Sequence, residues 1–454
     1  MIKSTIALSE RITLGGIRVD TLARSVLFIA AYLFFWISAT PFRDLSDPVV
    51  LEPISSSGIL SQALALSLGG LSVLFIYRCH ERRLGPLFTP ILIAILIWFG
   101  LTVLRSAHPD IAGRRYCLAL IEIAIAMASL LLPRNERHFG DLLAVSTLIF
   151  LLVCYLGVVF FPQLSVHQYA DLLEPQLAGA WRGPLLHKNV AGAAMAISVF
   201  IGLYVAKTRN LLIGGLIVAL SVIFLAFTLS KTCIVLLPLI LAMSEGFIAR
   251  HGSRWRLVLM FGGLFLINLA TLGSVLFVPV QNLLEGIMAD PSYTNRDDIW
   301  RFAFDQLAKN PWIGAGFQAF WRTNEVIYSG SNIETWANQA SDGHNDYLDV
   351  ALTTGIPGLL LTIMWLVVSP VEDIHRGSAS GNDPALTKLF VRIWLFSVIR
   401  ACLESSFFTG GNPCWFMMLV SIFGLRLQGS LVLISEASTQ NRPAKIVGDV
   451  TVRD

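Results

Sequence analysis

The stretch Ser341-Asp342-Gly343-His344-Asn345-Asp346-Tyr347-Leu348 ends the longest polar segment of the chain and opens a new apolar run. That run continues through Gly355-Ile356-Pro357-Gly358 to about residue 369, which is long enough to cross roughly 30 Å of hydrocarbon as a helix. The stretch therefore predicts a histidine at the mouth of a membrane helix, between amide and carboxylate side chains. We expect chemistry at this position.

Composition shows that the rest of the chain is of the same kind. Hydrophobic residues make up 55% of the 454 residues, charged residues make up 14%, and the mean hydropathy is +0.68. Soluble domains usually carry about 25% charged residues. Because lipid offers the backbone no hydrogen-bond partners, the long apolar runs are expected to be helices. The sequence indicates one all-α polytopic membrane domain over residues 1–454, with the lipid bilayer as a partner and no nucleic acid.

Twelve membrane helices are predicted from the apolar runs. They lie at about residues 25–41, 58–77, 87–104, 116–132, 142–161, 188–206, 211–228, 232–249, 257–279, 346–369, 389–408 and 413–429. Lysine and arginine concentrate in alternate connections, so the positive-inside rule puts both termini, with a tail at 430–454, in the cytoplasm. Arg105, Arg114 and Arg115 depart from this pattern, because they fall in a connection on the outer side.

Two connections on the outer side are long, at residues 162–187 and 280–345. A connection of this length rarely serves only to join two helices. In the second loop, apolar residues at 299, 302, 303 and 307 repeat with the spacing of one helix face, which predicts a surface helix. Asn310-Pro311 is expected to end that helix, and Gly314-Ala315-Gly316 is expected to make a turn.

Arg182 and Arg296, one in each long loop, are candidate ligands for an anion. The planar guanidinium fork matches phosphate oxygens, and two converging forks would clamp a pyrophosphate. A simpler interpretation is open for each arginine, since a lipid headgroup or a nearby carboxylate such as Asp297 would also pair with it.

His344 is a candidate general base, because its unperturbed pKa of about 6.5 lets it accept a proton near neutral pH. We expect Asp342, Asp346 or Asp349 to orient its ring. The alternative is a solvated histidine beside a helix cap with no chemical role.

Further polar residues stand at the ends of predicted spans or inside them. His187-Lys188-Asn189 opens the sixth span and Lys231 lies in a short turn on the same side, so these residues form either a polar pocket or interfacial anchors. Glu122, Arg400 and Glu404 fall inside spans, where ionisable residues are functional candidates by default. Arg400 and Glu404 are spaced as i and i+4, which a structural ion pair explains equally well.

Several of these residues together resemble the O-antigen ligase and polymerase superfamily. The matching positions are Arg182 and Leu186, Arg296 and Trp300, and the blocks Gly343-His344-Asn345 and Thr354-Gly355-Ile356-Pro357-Gly358. His187-Lys188-Asn189 followed by Gly192 resembles the exopolysaccharide-polymerase branch more than the lipopolysaccharide ligases. The resemblance covers roughly residues 180–370, and the first five spans match only in hydropathy.

The resemblance implies a GT-C-like glycosyltransferase of the bacterial inner membrane that acts at the periplasmic face, inverts the anomeric centre and needs no metal or other cofactor. Its donor would be an oligosaccharide linked through pyrophosphate to undecaprenol, with the pyrophosphate held by Arg182 and Arg296. His344 would activate or orient the hydroxyl of the acceptor glycan. Chain-length regulators and export proteins are candidate partners. Further candidate substrate-binding residues are His187, Lys188, Asn189, Lys231, Asn345 and Trp300.

Functions other than a polysaccharide polymerase stay open. A ligase of the same superfamily would move glycan to lipid A core or to a protein, and the sequence hardly encodes that difference in acceptor. A transporter or flippase should show broken helices in symmetric halves and charges at the membrane midplane. The polar residues concentrate in one external loop instead, which favours an enzyme. A non-catalytic scaffold would leave Arg182, Arg296 and His344 unexplained.

Overall fold

Helices make up nearly all of the fold. The computed structural model describes residues 13–14, 17–37, 40–48, 59–79, 84–249, 252–287, 293, 296–327, 340–378 and 383–430. Within these ranges, strand pairing is limited to a short ladder of β1 (Thr13–Leu14) with β2 (Ile17–Arg18) and one isolated bridge. The predicted tail at 430–454 and the middle of the 280–345 loop fall largely outside the described residues. The predicted division into domains stays a prediction.

The helices are numbered in chain order. They are α1 (Val19–Ile37), α2 (Ile59–Cys79), α3 (Pro90–Leu104), α4 (Pro109–Leu131), α5 (Glu136–Phe160), α6 (Pro162–Ser165), α7 (Lys188–Thr208), α8 (Leu211–Thr228), α9 (Lys231–Ala249), α10 (Ser253–Ala270), α11 (Leu272–Leu276), α12 (Val278–Ile287), α13 (Arg296–Lys309), α14 (Asn324–Ile327), α15 (Asp346–Ile363), α16 (Ser369–Ser378), α17 (Pro384–Arg400) and α18 (Pro413–Gly429). A π-helical segment, Met364–Val368, joins α15 to α16 without a loop.

Each of the twelve predicted spans overlaps a helix of the structure. Among the described residues, eight helices are long and apolar enough to cross a membrane by length and composition, namely α1, α2, α5, α7, α8, α9, α10 and the rod of α15 with α16. α3 is apolar but shorter, and α4, α17 and α18 complete the correspondence. The prediction of a polytopic all-α membrane protein is confirmed, whereas its GT-C-like character stays a prediction.

Two predicted spans are wrong at their C-terminal ends. The span at 389–408 ends at Arg400, because the N–H groups of Ser406 and Phe407 donate to Asp346 Oδ1, at 2.8 and 2.7 Å, instead of continuing the helix. The span at 257–279 breaks at Thr271, whose side chain donates to the preceding turn of α10. The first correction matters for function, since it moves Glu404 from a membrane helix into a turn at the end of the bundle.

α7 is the most buried of the candidate spans and packs closely on α8. The closest approach joins Gly202 and Gly214, where a Cβ added at Gly214 would collide with the backbone of Ala206 and with the carbonyl of Gly202. Small residues allow helix backbones to approach in this way within membranes. This contact holds the C-terminal part of α7. Nearer its N-terminus, which presents His187-Lys188-Asn189, a Cβ added at Gly192 would collide with Ser230.

α15 is broken at Gly355, which has a φ of 74°. Pro357 follows two residues later, and the backbone freed at the break is satisfied by the external loop. Ile356 N donates to Pro311 O at 2.8 Å, and Ala315 N donates to Leu352 O at 2.9 Å. Irregular backbone at such a depth needs protein partners of this kind. The break therefore pins the external loop to the helix that begins just after His344.

The predicted surface helix is confirmed as α13. Its residues Ile299, Phe302 and Ala303 are buried and Leu307 is half-buried, as the spacing of the apolar residues indicates. The predicted turn after it has Gly314 and Gly316 at φ values of 72° and 106°. α13 begins at Arg296, so the helix carries this arginine to the end of the bundle where α15 begins.

Candidate active site

His344 lies just before α15 in a left-handed backbone conformation, with a φ of 48°. For a residue with a side chain this conformation costs on the order of 1–3 kcal/mol and persists only where the surroundings enforce it. Two contacts to the preceding residue do so. Trp300 Nε1 donates to Gly343 O at 2.9 Å, and Gly343 N donates to Asp349 Oδ1 at 3.0 Å. The imidazole is thus held in a fixed position, 18% exposed.

The carboxylates nearest in sequence do not all orient this ring. Asp342 Oδ1 lies 3.6 Å from His344 Nδ1, so Asp342 is placed to orient the ring, as predicted. Asp346 instead accepts the backbone N–H groups after α17, and Asp349 accepts Trp321 Nε1 at 2.7 Å and Ser405 Oγ at 2.5 Å. The prediction that Asp346 or Asp349 orients His344 is therefore wrong, because both carboxylates accept hydrogen bonds from other residues of the surrounding loops.

Glu404 is the carboxylate that joins the site together. Its Oε1 accepts from Arg296 Nη2 at 2.8 Å and from Asn189 Nδ2 at 2.9 Å, and its Oε2 lies 3.4 Å from His344 Nδ1. Arg296 Nη1 also donates to Leu403 O. Four segments that are distant in the chain thus meet at one buried carboxylate, whose side chain is 6% exposed.

The i, i+4 spacing of Arg400 and Glu404 left open a structural ion pair between them. Arg400 Nη2 reaches Asn189 O at 3.4 Å, and Glu404 N donates to Arg400 O at 2.9 Å. Among the described residues, no ion pair joins the Arg400 guanidinium to the Glu404 carboxylate. Arg400 is 1% exposed, and its charge lies behind Glu404. The i, i+4 spacing indicated proximity correctly, but it could not show that Arg296 holds the carboxylate.

Electrostatics reinforce the contacts between His344 and Glu404. Burial raises the pKa of the Glu404 carboxyl, but the positive charges of Arg296, His344 and Arg400 outweigh it and hold that pKa well below its usual range. Burial lowers the pKa of His344, whereas the carboxylates of Asp342 and Glu404 raise it, and the resulting pKa lies above its ordinary value. The pair therefore favours an imidazolium beside an ionised carboxylate.

A second pair of histidines lies beside this cluster, in and after the first long loop. His187 caps α7 by accepting from Asn189 N at 3.1 Å, and its Nε2 lies 2.9 Å from Glu174 Oε2. His167 Nε2 accepts from Lys188 N at 3.3 Å, so its Nδ1 donates to Asp171 Oδ2 at 2.7 Å. Burial and the neighbouring His187 lower the pKa of His167 to about 4, so this ring is neutral at pH 7. These hydrogen bonds fix the tautomers of both histidines and hold the first long loop against the start of α7.

Arg182 has a different environment from Arg296. Its guanidinium donates to Leu185 O at 3.0 Å and to Arg43 O at 2.8 Å, and the residue is 1% exposed. These bonds tie the first long loop to the connection after α1. Among the described residues, Arg182 has no contact with Arg296 or His344, so the structure brings together two of the three predicted groups. Pyrophosphate binding by Arg182 stays a prediction.

The other predicted residues divide by burial. Asn345 and Trp300 are fully buried and hold the His344 loop, because Asn345 caps α15 and Trp300 donates to Gly343 O. Substrate binding by these two residues stays a prediction. Lys188 and Lys231 begin α7 and α9 beside the cluster, and Lys188 Nζ donates to Leu229 O at 3.1 Å. Both lysines therefore add positive charge to the same end of the bundle.

Part of the chain is similar to a known protein family. Residues 216–363 match the profile of the family described as O-Antigen ligase. The matched segment contains Arg296 and His344 and stops before Glu404.

Two curated proteins are similar to part of the chain. "Exopolysaccharide production protein ExoQ" of Rhizobium meliloti is 27% identical over 159 residues, which is 33% of this chain and 34% of that protein. "Putative polysaccharide ligase" of Rickettsia felis is 27% identical over 149 residues, which is 31% of this chain and 36% of that protein. The chain thus spans about a third of the length of the curated relatives it matches. The segment at residues 216–363 of this polytopic membrane protein is an O-antigen ligase family domain.

Proposed function

We propose that the protein is a polysaccharide polymerase that transfers glycan from an undecaprenyl-pyrophosphate-linked donor to the hydroxyl of an acceptor glycan. One observation carries the proposal. Glu404 bridges Arg296, at 2.8 Å, and His344, at 3.4 Å, so a group suited to a diphosphate and a group suited to a hydroxyl lie at one place. The names of the relatives, which concern exopolysaccharide production and polysaccharide ligation, support the same class of reaction.

His344 would act as the general base. Since Nδ1 faces Glu404, the Nε2 atom is the nitrogen left to accept the proton of the acceptor hydroxyl. The hydroxyl oxygen attacks the anomeric carbon, the bond from that carbon to the diphosphate oxygen breaks, and the configuration inverts. Glu404 stabilises the imidazolium that forms, as an ionised carboxylate does in other histidine–carboxylate pairs.

Arg296 would hold the diphosphate and stabilise the charge that develops as it leaves. Its guanidinium is shared between Glu404 and the carbonyl of Leu403, and its side chain is 18% exposed. A diphosphate carries more negative charge than one carboxylate, so it would compete with Glu404 for this fork. Lys188 and Lys231 would add charge at the same end. Fixed cations stabilise a leaving group without reorganisation, which supports a metal-independent mechanism.

We place the site at the periplasmic face of the bacterial inner membrane, with both termini in the cytoplasm. The support is the distribution of lysine and arginine among alternate connections. Tyr169, 87% exposed in the first long loop, offers a test of this orientation. A Tyr169→Cys variant should react with a membrane-impermeant maleimide in intact cells, whereas wild type reports the background from its own cysteines. Labelling only after the membrane is opened would reverse the orientation.

A ligase is the second candidate, because one relative is named for polysaccharide ligation and the family is described as O-Antigen ligase. The acceptor would then be lipid A core or a protein. His187-Lys188-Asn189 favours the polymerase, and we give it precedence. Deletion of the gene followed by glycan analysis separates the two. Single repeat units accumulating on the lipid carrier support the polymerase. Long chains that stay on the carrier and are not transferred to the final acceptor support the ligase.

A further inference from the structure

Three basic residues depart from the charge pattern of the connections, and they have different surroundings in the structure. They are Arg105, Arg114 and Arg115. Arg114 pairs with Asp110 at 3.0 Å on the surface of α4, and Arg115 donates to Gln318 O and so holds the external loop. The Arg105 side chain is exposed, and among the described residues it forms neither an ion pair nor a hydrogen bond to a carbonyl. It lines a cavity instead.

The cavity has a volume of about 320 Å³ and lies between the α3–α4 connection and α13. This volume is at the lower end of the range of about 300–1,000 Å³ for small-molecule sites. Arg105 and His108 contribute from the connection, and Gln306, Lys309 and Asn310 contribute from α13 and the residue after it.

The lining combines positive charge with an apolar floor. Arg105, His108 and Lys309 are basic, and no carboxylate is among the lining residues that the structure describes. Phe302 and Phe320 are buried and supply apolar surface. Cations with an adjacent aromatic surface suit a sugar that bears a carboxylate or a phosphate, because the charges meet the anion and the ring face meets the aromatic side chains.

The cavity is connected to His344 through two helices. In α13, Trp300 holds Gly343, while Phe302 lines the cavity two residues later. In α15, the lining residue Leu352 stands six positions after Asp346, the first residue of the helix, which is about 9 Å along the axis from the end where His344 lies. A glycan chain of a few sugar residues would span this distance.

We propose that this cavity is a subsite for an acidic sugar of the acceptor glycan, a few residues away from the reacting end. The inference rests on the proposed function for its place in the reaction, but not for the binding itself. Arg105, Lys309 and Asn310 are all exposed and lie in connections outside the predicted spans, so we infer that the polar opening of the cavity faces water rather than acyl chains. This favours a saccharide over an anionic lipid headgroup.

The test measures binding and not transfer, so it uses the His344→Ala protein in phosphatidylcholine nanodiscs. The probe is trigalacturonate, and maltotriose is its uncharged counterpart. The cavity variant combines Arg105→Ala with Lys309→Ala. The matched control combines Arg114→Ala on α4 with Arg301→Ala on α13, because both of these arginines are exposed and neither lines the cavity.

Trigalacturonate should bind, more weakly as salt is raised, and its Kd should rise about tenfold or more in the cavity variant but not in the control. Maltotriose should bind much more weakly in every protein. Equal binding of both sugars, or an unchanged Kd in the cavity variant, would overturn the proposal. So would competition by phosphatidylglycerol that disappears in the cavity variant, since the cavity would then be a lipid headgroup site. Binding that persists while wild type lacks transferase activity would separate this inference from the proposed function.

Discussion

Glu404 Oε1 lies 2.8 Å from Arg296 Nη2, although 108 residues of chain separate the two. The ion pair joins the turn after α17 to the first residue of α13, and His344 lies against the other oxygen of the same carboxylate. Removing one partner of such a buried pair leaves a charge without compensation. The pair therefore links the external loop to the membrane helices. It also couples Arg296 to His344 electrostatically, because both contact the same carboxylate.

Glu404→Gln should shift the pH dependence of transfer to lower pH. Glu404 raises the pKa of His344, so its neutral replacement lowers that pKa. A base must be neutral to act, and activity falls as pH falls through its pKa; the acidic limb of kcat/KM should therefore move to lower pH. The maximum rate should also fall, because the imidazolium loses its counter-ion. Glu245→Gln, which changes an exposed carboxylate paired with Lys388, is the control. An acidic limb at the wild-type pH would remove Glu404 from the mechanism.

Arg296→Ala should reduce transfer by about 10²–10³-fold, the usual effect of removing one donor that stabilises developing charge. Arg296→Lys should recover only part of this, because an ammonium is a point charge and not a planar fork. The measurement is the rate of undecaprenyl pyrophosphate release by purified protein. Arg301→Ala, one turn along α13, should leave the rate within about twofold of wild type. A rate for Arg296→Ala equal to that control would exclude Arg296 from diphosphate binding.

Arg182→Ala should act mainly through stability. The change leaves the carbonyls of Leu185 and Arg43 without their donor, which costs about 1–3 kcal/mol for the buried carbonyl of Leu185. We expect a lower Tm and a lower yield of folded protein in a thermal-shift measurement. Normal stability combined with a large rise in the KM for the donor would instead show that Arg182 contacts the pyrophosphate.

Transfer should survive an excess of EDTA. The charge on the leaving pyrophosphate is assigned to Arg296 with Lys188 and Lys231, and these groups need no divalent ion to act. Activity is followed with purified lipid-linked donor before and after chelation. Loss of activity that Mg²⁺ or Mn²⁺ restores would contradict the metal-independent mechanism.

Sequence patterns predicted the elements whose physical signal is local. The apolar runs located the membrane helices, and the spacing of Ile299, Phe302 and Ala303 located α13. His344 was recognisable because it ends the longest polar segment of the chain, directly before an apolar run. Each of these inferences needs only a short window of sequence.

The partners in the site could not be predicted in the same way, because they depend on contacts between distant segments. Glu404 falls in an apolar stretch that predicts a helix. The helix ends earlier because the backbone N–H groups of Ser406 and Phe407 donate to Asp346, which is distant in the chain. The same limit applies to Arg182. No local pattern distinguishes a guanidinium that binds carbonyl groups inside the protein from one that faces a substrate.

The most direct test of the account is the transfer reaction of the His344→Ala protein with purified undecaprenyl-pyrophosphate-linked repeat units. His375→Ala, which changes an exposed histidine of α16, is the matched control. Wild type and the control should release undecaprenyl pyrophosphate and form polymer. The His344→Ala protein, folded to the same Tm, should be slower by about 10²–10⁴-fold. Polymer of wild-type length formed at the wild-type rate by His344→Ala would contradict the central claim that His344 carries the chemistry.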